Sequence, residues 1–166
     1  MPNAYQPHVL ILPEDAACRD IANGFVLGVD HERAVRVCGP SGGWRKTRDI
    51  LAADKSELAR WPQRRLVAIV DFDAESDRAE ALKSVCRAGI ADRIYVVGAL
   101  TETEDLRRAL LQAGKLAPNT REGIGRMLAD DCRYRTEALW SHALLAHNAA
   151  ELARMNADLR TILFTE

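Results

Sequence analysis

The chain has 166 residues, a formal net charge of −1, 48% hydrophobic residues and 28% charged residues. This composition is typical of one globular domain, and it excludes a disordered chain or a strongly basic nucleic-acid coat. No apolar run reaches the roughly 18 residues that a membrane span needs, and the amino-terminal residues lack an export-signal pattern. We therefore expect a cytoplasmic protein that has no contact with a membrane.

Strands and helices alternate over the first hundred residues of the sequence. Short apolar runs rich in β-branched residues predict strands buried on both faces, at residues 8–12, 34–38, 66–70 and 93–97. Helical spacing of apolar residues predicts helices between them, at residues 15–27, 44–61 and 75–88. The sequence thus predicts an α/β fold, with a four-stranded parallel sheet in the order 2-1-3-4 flanked by helices.

The pattern becomes helical after the fourth predicted strand. Helices are predicted at residues 102–115, 120–132, 135–146 and 149–159, with a turn at residues 114–119. Residues 101–104 fit a capping box, in which Thr101 caps the amide of Glu104. Residues 162–164 suit either a fifth strand or an apolar cover. We expect an α/β domain at residues 1–115 and a helical extension at residues 116–166, packed on the same domain and available for a homodimer.

The four cysteines are scattered along the sequence. They form no CxxC pair, and together with the histidines they show no zinc-binding spacing. We predict free thiols in a reducing compartment.

Carboxylates follow two of the predicted strands directly. Glu14 comes after the first strand, and Asp71 and Asp73 come after the third. In the order 2-1-3-4 these strands are central neighbours, and their carboxyl ends line the ligand crevice at the point where the strand order reverses. Like charges that converge there raise each other's pKa unless a cation compensates, and oxygen ligands in a half-open site suit Mg²⁺ or Mn²⁺.

Several of these side chains also have a purely structural interpretation. An aspartate after a strand, such as Asp73, often caps the following helix. Arg78 suits a phosphate contact or a solvent-facing ion pair. His142 and His147 suit either buried packing or a general base beside the metal.

A glycine-rich and basic loop follows the second predicted strand. Its glycines allow backbone amides to turn toward an anion, its cations attract phosphate, and its tryptophan offers a ring face to a base. The spacing is not that of a Walker A loop, and a flexible turn before a solvated helix is the alternative. The predicted phosphate- or nucleic-acid-binding residues are Ser41, Gly42, Gly43, Trp44, Arg45, Lys46 and Arg48.

The order of Glu14 after strand one and Asp71-Phe-Asp73 after strand three resembles the Toprim domain, over about residues 8–115. That domain occurs in topoisomerases, primases, recombination-repair proteins and overcoming-lysogenization-defect nucleases. The resemblance implies Mg²⁺- or Mn²⁺-dependent phosphoryl transfer on nucleic acid, with Glu14, Asp71 and Asp73 as catalytic residues and metal ligands. It also implies a further acidic ligand beyond strand four, as in the nuclease branch, for which Glu104 or Glu102 is suitably placed and of which we predict Glu104. Asp15 stands where many Toprim domains have glycine.

A second resemblance, to a family of small bacterial proteins, spans nearly the whole chain. It implies no particular reaction. It is carried by residues 14–15, 21–25, 42–45, 71–73, 92–98, 101–104, 128–132, 140–142 and 147–148.

Three functions remain open from the sequence. The first is a nuclease-like, metal-dependent phosphoryl-transfer module. The second is a catalytically silent protein-interaction module with the same fold. The third is a receiver-like signalling domain, which the chain resembles in its Glu14-Asp15 pair and in Asp71. Receivers need a lysine after a fifth strand, however, and the sequence has no lysine after Lys115.

Overall fold

The computed structural model describes residues 1–114 and 120–166. Its four strands are all parallel and lie in the order β2-β1-β3-β4, which confirms the predicted fold class. The strands are β1 (His8–Pro13), β2 (Val35–Val37), β3 (Arg64–Ile69) and β4 (Ile94–Val97). The helices are α1 (Ala16–Leu27), α2 (Trp44–Ala52), α3 (Arg78–Ser84), α4 (Thr103–Gln112), α5 (Arg121–Tyr134) and α6 (Ala149–Leu163).

The sheet separates two apolar clusters because successive strand residues point to opposite faces. Val67 and Ile69 of β3 join the cluster that contains α1, α4, α5 and α6. Leu66 and Ala68 of the same strand join the cluster that contains α2 and α3. Every residue of β1 and β4 is buried, as expected for a parallel sheet covered on both faces. Among the described residues, no helix is long and apolar enough to cross a membrane.

Helix α6 occupies the open edge of β4. The Asn148 side chain accepts a hydrogen bond from the Gly98 amide at 3.1 Å and donates one to the Gly98 carbonyl at 2.9 Å. The Val96 amide donates to Oε2 of Glu151 at 2.9 Å. The side chains of Asn148 and Glu151 thus form hydrogen bonds with backbone groups at this edge that a fifth strand would otherwise pair. In the part of the chain that the structure describes, the sheet has no fifth strand to carry a receiver lysine.

The carboxyl-terminal apolar run belongs to α6 rather than to a strand. The helix continues to Leu163, and Phe164 follows it as a buried residue of the larger cluster. This settles the alternative that the sequence left open for residues 162–164, in favour of the apolar cover.

The prediction of a helix at residues 135–146 is wrong. Helix α5 ends at Tyr134, and Arg135 adopts a left-handed conformation with φ of 55°. The buried Asp131 carboxylate accepts hydrogen bonds from the amides of Leu139 at 2.7 Å and Trp140 at 3.2 Å. These amides are held by a side chain and not by a helical carbonyl, so the segment folds into turns.

Helix α2 is shorter than predicted. It ends at Ala52, and Asp54 then adopts a positive φ of 47°. The Asp54 carboxylate accepts hydrogen bonds from the amides of Leu58 and Ala59, each at 2.8 Å, which holds the following residues in turns. Helix α3 is also shorter than residues 75–88. The predicted domain boundary at residues 115 and 116, and most of the predicted turn at 114–119, lie outside the described residues.

Candidate functional site

The carboxyl ends of β1 and β3 place Glu14 beside Asp71. The Glu14 amide donates to the Ile69 carbonyl at 2.9 Å, which continues the pairing of the two strands. The Glu14 side chain then reaches across, and its Oε2 accepts a hydrogen bond from the Asp71 amide at 2.8 Å. The structure therefore brings these two predicted site residues together. We call Glu14, Asp71 and Asp73 the acidic edge.

The Asp71 carboxylate connects β3 to the first turn of α4. Its Oδ1 accepts hydrogen bonds from the amide of Thr103 at 2.9 Å and from the Thr103 hydroxyl at 2.8 Å. The buried Cys18 thiol lies 3.9 Å from the same oxygen. Asp71 thus accepts a hydrogen bond from an amide in the first turn of α4, whereas the sequence predicted that Thr101 would cap this turn at the amide of Glu104. The predicted capping box is wrong, because the hydroxyl of Thr101 is buried without a hydrogen-bond partner among the described residues.

Asp73 lies in the loop after β3, because that strand ends at Ile69. The alternation of side chains along a strand therefore does not determine the direction of the Asp73 side chain. Asp73 adopts a positive φ of 47°, and its amide donates to the Thr101 carbonyl at 3.2 Å. Its Oδ2 lies 2.7 Å from Nη2 of Arg78. The ion pair that the sequence allowed for Arg78 therefore exists, but it is not solvent-facing, since only 9% of the arginine side chain is exposed.

Arg78 makes further contacts that fix its position. Its Nη1 donates to the Asp71 carbonyl at 2.8 Å, and its Nε lies 3.4 Å from Oε2 of Glu75. The guanidinium lies over the Trp44 ring, 4.4 Å from the centroid. Arg78 therefore links the loop after β3 to the start of α2.

The surroundings of Glu14 and Asp71 favour their neutral forms. Burial raises the pKa of Glu14 above its usual value; the Asp71 amide opposes this shift and the Asp71 charge adds to it. Burial also raises the pKa of Asp71, the hydrogen bonds from Thr103 oppose the shift, and the charges of Asp15 and Asp73 reinforce it. A bound cation would remove this cost, because it favours the ionised carboxylates.

The donor set of the acidic edge fits a divalent cation in part. Glu14 Oε1 and Asp71 Oδ2 accept no hydrogen bond from residues 1–114 or 120–166, so each carboxylate keeps one oxygen for a ligand. Such oxygens suit Mg²⁺ or Mn²⁺. Asp73 can join them only if it leaves Arg78.

Glu104, the fourth predicted ligand, faces other partners. It forms ion pairs with Arg107 at 2.5 Å and with Arg121 at 3.6 Å. Among the described residues, the structure therefore gathers neither the four predicted ligands nor the three carboxylates of the acidic edge within 4.8 Å of one another. Among the described residues, the potential ligand atoms that lie within 4.8 Å of one another belong to Asp15, Cys18 and Asp71.

That second group is occupied by structural roles. Asp15 caps α1, since its Oδ1 accepts a hydrogen bond from the Cys18 amide at 2.8 Å. Burial raises the pKa of the Cys18 thiol, and the charge of Asp71 adds to the shift. Asp15 and Asp71 thus already accept hydrogen bonds from the amides of Cys18 and Thr103, and these bonds hold the starts of α1 and α4.

The glycine-rich loop wraps around the backbone of the site. The Ser41 amide donates to the Pro13 carbonyl at 2.9 Å, and the Gly42 and Gly43 amides donate to the Glu14 carbonyl at 2.9 and 3.2 Å. These amides fix Glu14, and in this structure they are not available to a phosphate.

The side chains that follow in the loop differ in their availability. One face of the Trp44 ring is covered by Arg78, so that face is not open to a base. Arg45, Lys46 and Arg48 are exposed, and they form no ion pair with the residues that the structure describes. These three cations are the part of the predicted binding loop that stays open to an anion.

The two candidate histidines are packed by neighbouring residues. The His147 ring lies edge-on to Phe72, with a centroid distance of 4.5 Å and an interplanar angle of 69°. Burial lowers the pKa of His147. His142 Nδ1 accepts a hydrogen bond from the Leu144 amide at 3.1 Å. His147 therefore supports Phe72, the residue between the two aspartates.

Sequence reasoning did not find the contribution of Thr103 or of Cys18 to the site. Thr103 lies inside the motif at residues 101–104, but its partner is 32 residues earlier in the chain. Helical spacing in α1 marks Cys18 only as an apolar residue. Neither sequence signal identifies a contact with Asp71.

No protein-family model, curated protein or solved structure matches this chain.

Proposed function

We propose that this chain is a Toprim-like, divalent-metal-dependent phosphoryl-transfer module that acts on nucleic acid in the manner of a nuclease. One observation carries the proposal: the Asp71 amide, after β3, donates a hydrogen bond to the Glu14 carboxylate, after β1. These two central strands end at the edge of the parallel sheet where ligands bind in such folds. Both carboxylates have raised pKa values and a free oxygen, which is typical of functional sites.

Each group of the site has a role in this proposal. Mg²⁺ or Mn²⁺, when bound, supplies a Lewis acid for a phosphoryl oxygen and lowers the pKa of water. Glu14 and Asp71 would hold the cation, and Asp73 would join them only on leaving Arg78. Because its pKa is raised, Glu14 is also suited to proton exchange through its free Oε1. The exposed cations Arg45, Lys46 and Arg48 attract the phosphate backbone.

The variant Asp71→Asn tests the proposal. Asparagine keeps an oxygen acceptor for Thr103, so the fold should persist, whereas the negative charge is lost. We expect calorimetric Mn²⁺ binding and Mg²⁺-dependent cleavage of a labelled single strand by the wild type, and loss of both in the variant.

Asp92→Asn is the matched control. Asp92 is an exposed acid that precedes β4, at the opposite end of the sheet from the acidic edge. It should bind Mn²⁺ and cleave like the wild type. Cleavage that persists unchanged in a folded Asp71→Asn variant contradicts the proposal.

A catalytically silent interaction module is the second candidate. It is favoured by one observation, that Asp71 and Asp73 already have partners in Thr103 and Arg78. Such an edge is stable without a cation. This candidate predicts no heat and no change in melting temperature when Mg²⁺ or Mn²⁺ is added, which separates it from the phosphoryl-transfer module.

We further propose a cytoplasmic location and a homodimer through the helical extension. The location is supported by the four cysteines, which are all free thiols. The dimer is tested by light scattering of the eluting protein. A monomer across micromolar concentrations contradicts it.

A further inference from the structure

We propose that a cationic cleft beside the amino-terminal ends of β1 and β3 binds the phosphate group of a small phosphate monoester. The cationic cleft is a space of about 420 Å³ whose charged lining residues are Arg36, Lys55, Glu57 and Arg64. This volume lies in the range of small-molecule sites. Because Arg64 begins β3, the cleft lies at the opposite end of that strand from the acidic edge, and the inference is independent of the proposed function.

A chain of hydrogen bonds fixes Arg64 in the wall of the cleft. Nδ1 of the buried His8 ring donates to the Gln6 carbonyl at 2.8 Å, which leaves Nε2 to accept a hydrogen bond from Nε of Arg64 at 3.0 Å. Nη1 of Arg64 donates to the Ser56 carbonyl. Only 14% of the Arg64 side chain is exposed. The guanidinium is thus in place before a ligand arrives, which lowers the entropic cost of binding.

Arg93 fastens the segment that carries Trp61 and Arg64. Its Nη1 donates to the Trp61 carbonyl at 3.1 Å and to the Arg64 carbonyl at 3.2 Å. Its Nη2 donates to the Leu58 carbonyl at 2.8 Å. This wall of the cleft is therefore held by several bonds, as expected of a preformed site.

The cations of the cleft lack the acceptors that would neutralise them. Nη2 of Arg64 donates no hydrogen bond to any described residue, and its Nη1 lies 3.9 Å from the Glu57 carboxylate. Arg36 donates to the Met1 thioether at 3.0 Å, and a thioether is a weak acceptor. Lys55 forms no ion pair in the described part of the chain. Donors therefore remain for an anion.

The charges around Arg64 also favour an added anion. Burial lowers the pKa of Arg64, the Glu57 charge opposes this shift, and the Arg36 charge adds to it. Glu57 is the one carboxylate among the described residues that line the cleft, and it lies closer to Arg60, at 3.0 Å. A phosphate monoester carries a charge of about −1.5 to −2 at pH 7, which would balance three cations and one carboxylate. Its oxygens suit the planar guanidinium fork.

The remaining lining residues suit the organic part of such a ligand. Pro2, Ala4, Leu10 and Trp61 line the same cleft as the cations. A phosphate group alone fills only part of the volume. We therefore expect apolar contacts to add affinity for a monoester over inorganic phosphate.

The first test is calorimetric titration of the full chain with ribose 5-phosphate, inorganic phosphate and ribose, at low ionic strength where exposed charges are least screened. We expect ribose 5-phosphate to bind, inorganic phosphate to bind about three- to tenfold more weakly, and ribose not to bind. Absence of binding by ribose 5-phosphate, or equal affinity for inorganic phosphate, overturns the proposal.

Three charge changes at exposed residues should act in opposite directions. Arg36→Gln and Lys55→Gln should each weaken the binding of ribose 5-phosphate about three- to fivefold, because each removes an exposed cation from the cleft. Glu57→Gln should tighten it about two- to threefold, because the competing negative charge is lost. Unchanged affinity in folded Arg36→Gln and Lys55→Gln overturns the proposal.

Arg87→Gln is the matched control for net charge. Arg87 is exposed and is not among the lining residues of the cleft. This variant should bind ribose 5-phosphate as the wild type does. A loss of affinity equal to that in Arg36→Gln would assign the effect to the charge of the whole molecule and overturn the site.

A footprint on the wild-type protein locates the ligand without any substitution. Cys38 lines the cleft and Cys86 does not, and both are half-buried free thiols. Saturating ribose 5-phosphate should slow the alkylation of Cys38 several-fold and leave that of Cys86 unchanged, as followed by mass spectrometry. An unchanged rate at Cys38 under saturation overturns the proposal.

Discussion

Two partly buried glutamates respond to their surroundings in opposite directions. Burial raises the pKa of Glu14 and outweighs its one backbone hydrogen bond. Burial acts on Glu151 in the same direction, but Lys83, the Val96 amide and Arg154 outweigh it and hold the pKa of Glu151 below its usual value. Residue type alone therefore does not tell whether a carboxylate stabilises the fold.

Glu14→Gln should stabilise the protein at neutral pH. The folded pKa lies above the ordinary value of 4.5, so the stabilising contribution of Glu14 is present below pH 4.5 and is lost as the pH rises through the folded pKa. Glutamine keeps the acceptor for Asp71 and removes the charge. We expect a melting temperature about 2 °C higher at pH 7.5 and no gain at pH 4.

Glu32 is an exposed glutamate, so Glu32→Gln is the control and should leave the melting temperature unchanged at both pH 7.5 and pH 4. A lower midpoint for Glu14→Gln at pH 7.5 contradicts the inferred cost of the ionised site.

Glu151→Gln should do the reverse. Because the folded pKa is depressed, the contribution of Glu151 is present above pH 4.5 and is lost as the pH falls through the folded pKa. Glutamine has one acceptor oxygen in place of two, so Lys83, Arg154 and the Val96 amide cannot all keep their hydrogen bonds, and the two cations lose their counter-charge. We expect a cost of about 2 kcal/mol at pH 7. Urea denaturation should show this loss at pH 7 and a smaller one at pH 4. A loss of equal size at both values contradicts the assignment.

At the scale of elements, the contact between α1 and α5 depends on glycines. A Cβ at Gly24 would lie 1.9 Å from the carbonyl oxygen of Glu122, and a Cβ at Gly125 would lie 1.9 Å from that of Ile21. These two glycines therefore set how closely the helices approach. The approach also positions the start of α1, where Asp15 and Cys18 border the acidic edge.

Gly24→Ala should destabilise the protein although alanine favours helix. The propensity gain is about 1 kcal/mol, whereas forcing two helix backbones apart costs about 1–3 kcal/mol or more. We expect a net loss in the free energy of unfolding, measured in urea.

Gly39→Ala provides the comparison, since a Cβ there meets no atom within 4 Å. It should change stability by less than Gly24→Ala. Equal effects of the two substitutions would mean that close packing does not explain Gly24.

At the scale of the whole molecule, the helical extension completes the core. The larger apolar cluster joins Leu106 and Leu110 of α4 to Leu152 and Leu159 of α6. The same extension satisfies the edge of β4 through Asn148. Both contributions cross the boundary that the sequence places between an α/β domain and an extension.

A fragment of residues 1–114 should therefore not fold alone. It would expose the part of the larger apolar cluster that α5 and α6 cover, together with the polar groups along β4, and both favour aggregation. We expect no cooperative thermal transition in circular dichroism and few dispersed amide resonances. A cooperative transition in the isolated fragment contradicts this prediction.

The sequence predicts most of the sheet because the strands are short and nearly all apolar. The runs around Val9, Val67 and Val96 leave little alternative to strands buried on both faces, and their alternation with helices indicates parallel pairing. The helix at residues 135–146 could not be excluded in the same way. Its local pattern is helical, and the buried Asp131 carboxylate, which lies outside the segment, redirects the amides of Leu139 and Trp140.

The amino-acid sequence is enough to predict the layered α/β architecture and the edge where Glu14 and Asp71 meet, since both follow from local apolar patterns and strand order. Tertiary structure alone decided the partners of those carboxylates. Thr103 donates hydrogen bonds to Asp71, and Arg78 forms an ion pair with Asp73. Glu104 forms ion pairs with Arg107 and Arg121. The physical reason is that hydrogen bonds and ion pairs depend on positions within a few ångströms, and distant segments acquire such positions only when the whole chain has packed.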